Sequence, residues 1–208
     1  MTKSALGTVI LFARVPRLGH GKQRLAASIG AVRTNQIYKI ILRKTLRTVS
    51  LQLGWKTLLV LDPVSACSKP GSLFSSNGVN RLPRLDQRGK DLGRRMAAAL
   101  RRAPPGPRVL IGADIVGLDP GSLRRALIAC RRSEFVFGPV EDGGFWLVGC
   151  KRPPSLRCFD DIRWSRETTL KETVGKMPNA WRIAYADRLR DIDEVKDLLN
   201  SDFCPWIK

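Results

Sequence analysis

Short apolar runs alternate along this chain with stretches whose apolar residues recur at helical spacing, and that alternation restricts the fold more than any other feature. Residues 7–13, 56–61 and 109–111 read as buried strands, whereas 35–51, 91–102 and 120–132 carry the helical period. Between them lie the breaks such a pattern needs: the loop 14–23 with Pro16, Gly19 and Gly21, the Gly/Ser-rich surface loop 65–80, and the breaker Pro104-Pro105-Gly106-Pro107. Asp119 stands before Pro120 as an N-cap stands before the first turn of a helix. Further on, 135–137 and 145–148 are short strands separated by Pro139 and the Gly143-Gly144 turn, and amphipathic helices at 168–176 and 194–200 flank a last strand at 181–185. Strands alternating with helices predict crossover connections and a mostly parallel mixed sheet covered on both faces. The expectation is an α/β chain in three layers, α/β/α, and 208 residues suffice for one such domain over 1–208.

A sheet of that kind binds ligands beyond the carboxyl ends of its strands, so the residues that follow each predicted strand are the candidates for chemistry. Val109-Leu110-Ile111-Gly112-Ala113 runs directly into Asp114. A carboxylate there can cap a helix, but Asp119 is better placed for that, and Mg²⁺ or Mn²⁺ held by one or two carboxylates plus substrate phosphates suits the position. The first strand leads into Arg14 and the loop Pro16-Arg17-Leu18-Gly19-His20-Gly21-Lys22-Gln23-Arg24. Gln23 stands where a P-loop needs Ser or Thr, and Arg24 where a dinucleotide fingerprint needs its third Gly. What remains is a glycine-bearing loop in which Arg14, Lys22 and Arg24 can converge on a phosphate chain beside exposed backbone N–H groups. Glu141-Asp142-Gly143-Gly144 is either a plain hairpin or a place where backbone approaches a ligand closely, and Phe145-Trp146 either lines a sugar or base pocket or fills the core. In Arg190-Asp191-Ile192-Asp193, Asp193 is either an N-cap or a second metal carboxylate.

Charge narrows the partners. The formal net charge is +19, and eleven Lys or Arg precede the first acidic residue, Asp62. A second basic patch runs from Arg81 to Arg102, relieved only by Asp86 and Asp91. Such an imbalance suits nucleotides, phosphorylated substrates, nucleic acid or acidic membrane surfaces. His20 is the only histidine and no Gly-x-Ser-x-Gly accompanies it, which argues against a Ser-His-Asp hydrolase and against a zinc or non-haem iron centre. The five cysteines are odd in number and form no Cys-x-x-Cys pair, so neither a disulfide framework nor a zinc knuckle is expected and a reducing cytoplasm is the simpler setting. No segment approaches the roughly 20 apolar residues of a bilayer span. The apolar stretch 5–13 is broken by Gly7 and Thr8 and lacks a small-residue cleavage site.

Taken in order, six blocks resemble the DUF2064-type bacterial family of glycosyltransferase-like proteins, which has the GT-A, nucleotide-diphospho-sugar transferase fold. They are Phe12-Ala13-Arg14-Val15-Pro16 with Gly19 and Lys22-Gln23-Arg24-Leu25; Gln87, Gly89, Asp91-Leu92-Gly93 and Arg95-Met96; Gly112-Ala113-Asp114; Gly138-Pro139 with Asp142-Gly143-Gly144-Phe145; Ile162 with Trp164-Ser165; and Asp191-Ile192-Asp193 with Asp197-Leu198. The resemblance implies that Arg14, Gly19, Lys22 and Arg24 cradle a diphosphate or triphosphate, that Asp114 and Asp193 are the metal ligands, and that Asp91 and Arg95 lie on the nucleotide or acceptor side. It further implies an acceptor pocket of Asp142, Gly143, Gly144, Trp164 and Ser165, with Asp142 binding a hydroxyl or acting as base and Lys22 and Arg24 assisting the transfer. Two departures stand out: Gln23 replaces the family's Thr, and Ile115-Val116 replaces the Cys-Pro after the metal Asp. The expected activity is a Mg²⁺- or Mn²⁺-dependent transferase that moves a nucleotidyl or glycosyl group from a nucleoside triphosphate or nucleotide sugar to a phosphorylated or hydroxyl acceptor. The competing expectation is a nucleic-acid or polyanion binder that keeps the fold without the reaction, which the charge favours but no recognised nucleic-acid motif supports.

Overall fold

The central strand β1 (Thr8–Arg14) holds Val9, Ile10 and Leu11 with no exposure at all. A run that is apolar on both sides of the pleat can sit only in the middle of a covered parallel sheet. The computed structural model describes residues 5–51, 53–69, 71–75, 78–192 and 197–198, and β1 lies there between β2 (Lys56–Asp62) and β4 (Arg108–Ile111), parallel to both. The other strands are β3 (Arg84–Asp86), β6 (Phe135–Pro139), β7 (Phe145–Cys150) and β8 (Ile183–Tyr185), and the sheet order is β3-β2-β1-β4-β7-β6-β8. Only β7 runs against its neighbours β4 and β6, which gives the mostly parallel mixed sheet that the alternation predicts.

Helices cover both faces. On one, Leu42 and Leu46 of α2 (Ala31–Ser50) and Leu123 and Leu127 of α4 (Pro120–Arg132) pack on Leu11, Leu59, Val136 and Leu147. On the other, Met96 and Leu100 of α3 (Leu92–Arg102) meet Ile10, Val60, Leu110 and Val148, with Phe135, Phe137 and Phe159 beside them. Each buried leucine contributes about 2 kcal/mol by transfer from water. Asp119 caps α4 as expected, accepting from the N–H groups of Gly121 and Ser122.

Several short elements escape a periodicity reading. Helix α1 (Gln23–Ile29) spans only seven residues, and Gly30 at φ 83° separates it from α2, which therefore begins four residues before the predicted 35. Strand β3 has three residues, and β5 (Ile115–Val116) with β9 (Arg190–Asp191) forms a two-residue antiparallel ladder. The segment 65–80 is corrected from surface loop to partly internal structure: two 3₁₀ turns, Val64–Ala66 and Ser72–Phe74, drive Phe74 to zero exposure and bury Val79. Its scattered apolar residues outweigh its polar composition. The last predicted helices and strand appear as α5 (Thr169–Gly175) and β8, while 194–200 falls mostly outside the described residues, Asp197 and Leu198 being helical.

Arg108 is the least expected member of the core, 2 % exposed and without a carboxylate. Its guanidinium instead donates to carbonyl oxygens at the end of α3 and in the turn beyond: Leu100 at 2.9 Å, Ala103 at 3.5 Å and Gly106 at 2.7 and 2.9 Å. It caps the negative end of that helix from within the protein.

Asp86, at the end of β3, is held between Arg88 and Arg102, both at 2.8 Å. Hydrogen bonds from Arg88 and then Arg102 bring its carboxyl down to about 2. A depressed folded-state value stabilises above the unfolded value near 3.8, and that stability is lost as pH falls towards 2. Discounted for solvent screening, the effect is about 1 kcal/mol. Urea titrations at pH 5 and pH 2 should therefore show an acid loss that is smaller by this amount in Asp86→Asn, and equal losses in the two proteins would exclude the contribution.

Candidate active site

The strand ends build the site. Beyond the carboxyl ends of β1, β2 and β4 lies a cavity of about 960 Å³, at the upper end of the range for small-molecule sites. Because β7 is reversed, its first residues, Phe145 and Trp146, reach the same edge. The loop 15–22 forms one wall. Gly19 (φ 76°) and Gly21 (φ 81°) make its left-handed turns, and nothing lies within 4 Å of where a Cβ would be, so they supply conformation and not close packing.

Lys22 ends that loop in the left-handed region (φ 46°) as the N-cap of α1. Its side chain, 8 % exposed, turns inward and places Nζ 2.8 Å from Oδ2 of Asp114, which is 35 % exposed. The same ammonium donates to the backbone carbonyl of Ile192. Desolvation works to raise the Asp114 carboxyl, but the charge and hydrogen bond of Lys22 override it and hold the group below its ordinary value. Asp114 is therefore a carboxylate at neutral pH, and a cation lies against it.

Arg14, the last residue of β1, is registered opposite Asp62, the last of β2, with Nε 3.4 Å from Oδ2. Its carbonyl accepts from the Tyr38 hydroxyl at 2.9 Å, and burial, then the charge of Asp114, pushes that phenol well above its usual value, so it stays a neutral donor. Gln87 donates from Nε2 to Ala13 at 3.2 Å and Val60 at 3.4 Å, tying the ends of β1 and β2 together at the cavity. Asp91 caps α3 by accepting from the Arg94 N–H at 2.7 Å, and Arg95 donates to Gly89 at 3.1 Å. Both line the cavity.

The cavity thus gathers Arg14, Gly19, Lys22, Asp91, Arg95, Asp114 and Ser165 from the predicted set. Arg24 is exposed on α1 and does not line it. Asp142, Gly143, Gly144 and Trp164 do not line it either. Asp142 closes a turn onto the Gly144 N–H at 2.9 Å. Gly143, at φ 82°, leaves no room for a side chain: a Cβ would fall 1.9 Å from the Glu167 carbonyl oxygen. Its own carbonyl accepts from Leu170 at 2.9 Å, so the 143 turn anchors the segment that carries Ser165. Trp164 packs edge-on against Phe145 and Phe159. Asp193 lies outside the described residues, among which no group of three or more His, Cys, Asp or Glu suits a metal ion.

Sequence reasoning gave no role to Asp62, to Gln87 of the second block or to the α2 residues Thr34, Asn35 and Tyr38, all of which line the cavity. Asp62 was within reach, since it ends an apolar strand as a carboxylate much as Asp114 follows one. The α2 residues carry no such signal, because they reach the site through the placement of a helix preceded by the turn at Gly30. Asn35 Oδ1 is buried and has no hydrogen-bond partner among the described residues. No described helix is long and apolar enough to cross a membrane.

The family described as "Uncharacterized protein conserved in bacteria (DUF2064)" matches residues 45–166, more than half of the chain. No curated protein matches in sequence. Among solved structures, a protein of Desulfovibrio desulfuricans G20 named provisionally as a nucleotide-diphospho-sugar transferase superposes with a TM-score of 0.83 at 23 % identity, covering 98 % of this chain and 94 % of that one. The inositol-1-phosphate CTP transferase of T. maritima gives 0.58 at 10 % identity over 98 % and 95 %. A manganese complex of Rv0371c from Mycobacterium tuberculosis gives 0.52 at 16 % identity over 93 % and 96 %. At these identities the likeness is one of fold, and the fold is that of the nucleotide-diphospho-sugar transferases.

Proposed function

The chain belongs to the DUF2064 family, and from that premise we propose that it is a divalent-metal-dependent transferase whose donor is a nucleoside triphosphate or a nucleotide sugar. The observation that carries this reading is the meeting, in one cavity, of an ionised strand-end carboxylate with the basic side chains Arg14, Lys22 and Arg95. A phosphate chain needs both: fixed positive charge along its oxygens and a hard cation to bridge them. The neighbours support it, one being a CTP transferase and another a manganese complex.

The residues present fit a divalent ion, because the Lys22 ammonium already lies between the Asp114 carboxylate and the Ile192 carbonyl, oxygen ligands of the kind Mg²⁺ and Mn²⁺ take. Asp114 would hold the ion, with Asp193 as the proposed second ligand. When bound, a divalent cation neutralises charge on the phosphate oxygens as a Lewis acid. Arg14 and Lys22 would steady the phosphates and Arg95 would address the nucleotide or acceptor from the start of α3, with Arg24 a proposed contributor from α1. Trp164 and the 142–144 turn would set the position of Ser165 on the acceptor side. In nucleotidyl transfer an acceptor oxygen bonds to the α-phosphorus as the bond to pyrophosphate breaks. In glycosyl transfer an acceptor hydroxyl bonds to the sugar's anomeric carbon and the nucleoside diphosphate leaves.

The exposed arginines Arg33, Arg43 and Arg47 along α2 favour a second reading, a polyanion-binding surface. Calorimetry of nucleoside triphosphates and of UDP-, GDP- and CDP-sugars, with and without Mn²⁺ at two salt concentrations, separates the two. The transferase reading expects one-to-one, metal-dependent binding of a restricted set. Metal-independent binding of every polyanion with a steep salt dependence would replace it with the second.

A further inference from the structure

The metal carboxylate of the proposed reaction is already engaged by a cation of the protein's own. Lys22 Nζ is 2.8 Å from Asp114 Oδ2 and hydrogen-bonded to the Ile192 carbonyl, and only 8 % of the side chain is exposed. We propose that Lys22 occupies the place of the divalent ion in the ligand-free protein and leaves it for the donor's phosphates, so that metal and nucleotide bind together and the metal alone binds poorly. This rests on the metal-dependent reading above.

The physical argument is one of exclusion. An ammonium reaches an oxygen at about 2.8 Å, whereas Mg²⁺ or Mn²⁺ sits at about 2.1 Å, so an ion that took the same two oxygens would overlap Nζ. The two positive charges would also repel, the Lys22 side chain being only 8 % exposed. The ion pair therefore has to be broken before Asp114 can serve a metal, and breaking it costs a largely buried ammonium its contact with the Asp114 carboxylate. A diphosphate or triphosphate in the cavity that Lys22 lines would offset that penalty by offering oxygens to the same ammonium.

The loop is built to allow the swing. Lys22 follows Gly21 and lies three residues after Gly19, both at positive φ with no atom within 4 Å of a would-be Cβ, so the turn is not wedged against the body of the protein. The Lys22 side chain makes no capping hydrogen bond to the first N–H groups of α1. At the other end Asp114 is fixed, because it follows the four buried residues of β4 by three positions. In this proposal the lysine moves and the carboxylate stays in place.

The test is Mn²⁺ binding followed by electron paramagnetic resonance, in the absence and presence of a nucleoside triphosphate or nucleotide sugar that the wild-type protein binds. Wild type should take up Mn²⁺ weakly alone and at least tenfold more tightly with nucleotide. Lys22→Met should bind Mn²⁺ alone at least tenfold more tightly than wild type and lose most of the nucleotide's enhancement, while Lys22→Arg, which keeps the charge, should stay weak alone. Thermal melts show that each variant is folded. Unchanged or weaker nucleotide-free binding in a folded Lys22→Met protein overturns the proposal, as does equal tightening in Lys22→Met and Lys22→Arg. If no protein binds Mn²⁺ even with nucleotide, the metal-dependent reading fails, and this inference fails with it. That outcome differs from one in which wild type binds metal and nucleotide but Lys22 does not matter.

Discussion

Asp114→Asn is expected to lower the proposed transferase turnover by about a thousandfold, the scale on which removal of a preorganised electrostatic partner acts, and to leave the fold intact. The asparagine keeps the shape and an oxygen for Lys22, whose second hydrogen bond to the Ile192 carbonyl is untouched, so little stability is at risk. What is lost is the negative charge; of the other carboxylates that line the cavity, Asp62 is turned to Arg14 and Asp91 to the α3 N-cap. The measurement is steady-state turnover with saturating nucleotide and Mn²⁺, alongside a thermal melt. A variant that turned over within a few fold of wild type would end the assignment of Asp114 as the metal ligand.

The largest expected effect on stability lies far from that chemistry. Arg108→Met should cost about 3 kcal/mol, or roughly 10 °C in melting temperature for a chain of this size. Methionine restores most of the apolar bulk but none of the donors. The carbonyls of Leu100, Ala103 and Gly106 then keep their burial and lose their partner, at the end of α3 where helix carbonyls have none of their own. Burial pulls the guanidinium's proton affinity down, yet an arginine stays charged in such a place where a lysine need not. Arg131→Ala, on the exposed end of α4, is the control and should move the melt by less than a degree or two. A small shift for Arg108→Met would mean that the 103–107 turn relaxes and lets water reach those carbonyls.

The arginine also illustrates where the sequence stops being legible. The runs 56–61 and 109–111 were readable because buried parallel strands are apolar on both faces, and Asp114 because a charge ends one of them. Arg108 sits at the head of such a run and carries no signal of its burial, since its partners are backbone carbonyls that composition does not encode. The same holds at the site. Arg14, Lys22 and Asp114 belong to strand ends, which the alternation locates, whereas Tyr38 and Asn35 enter the cavity from a helix whose orientation depends on a two-segment break at Gly30. At 142–144 the sequence leaves open a plain hairpin or a close approach to a ligand, and the resemblance implies an acceptor pocket. The structure uses Gly143 as a contact point for the 167 carbonyl, and a glycine needed for close approach to protein looks in sequence like one needed for approach to a ligand. The short strands β3, β5 and β9 had too few residues to show any period.

The sheet order carries a consequence for how the chain is made. Strand β1 leaves the ribosome first but is flanked by β2 on one side and β4 on the other, so for some ninety-odd residues of synthesis one edge of the most apolar strand has no partner. A truncation that ends before residue 108 keeps β1, β2 and β3 but leaves that edge open to a second copy. The strand that closes it is also the one that delivers Asp114, so the nascent chain acquires that carboxylate only as its aggregation-prone edge disappears.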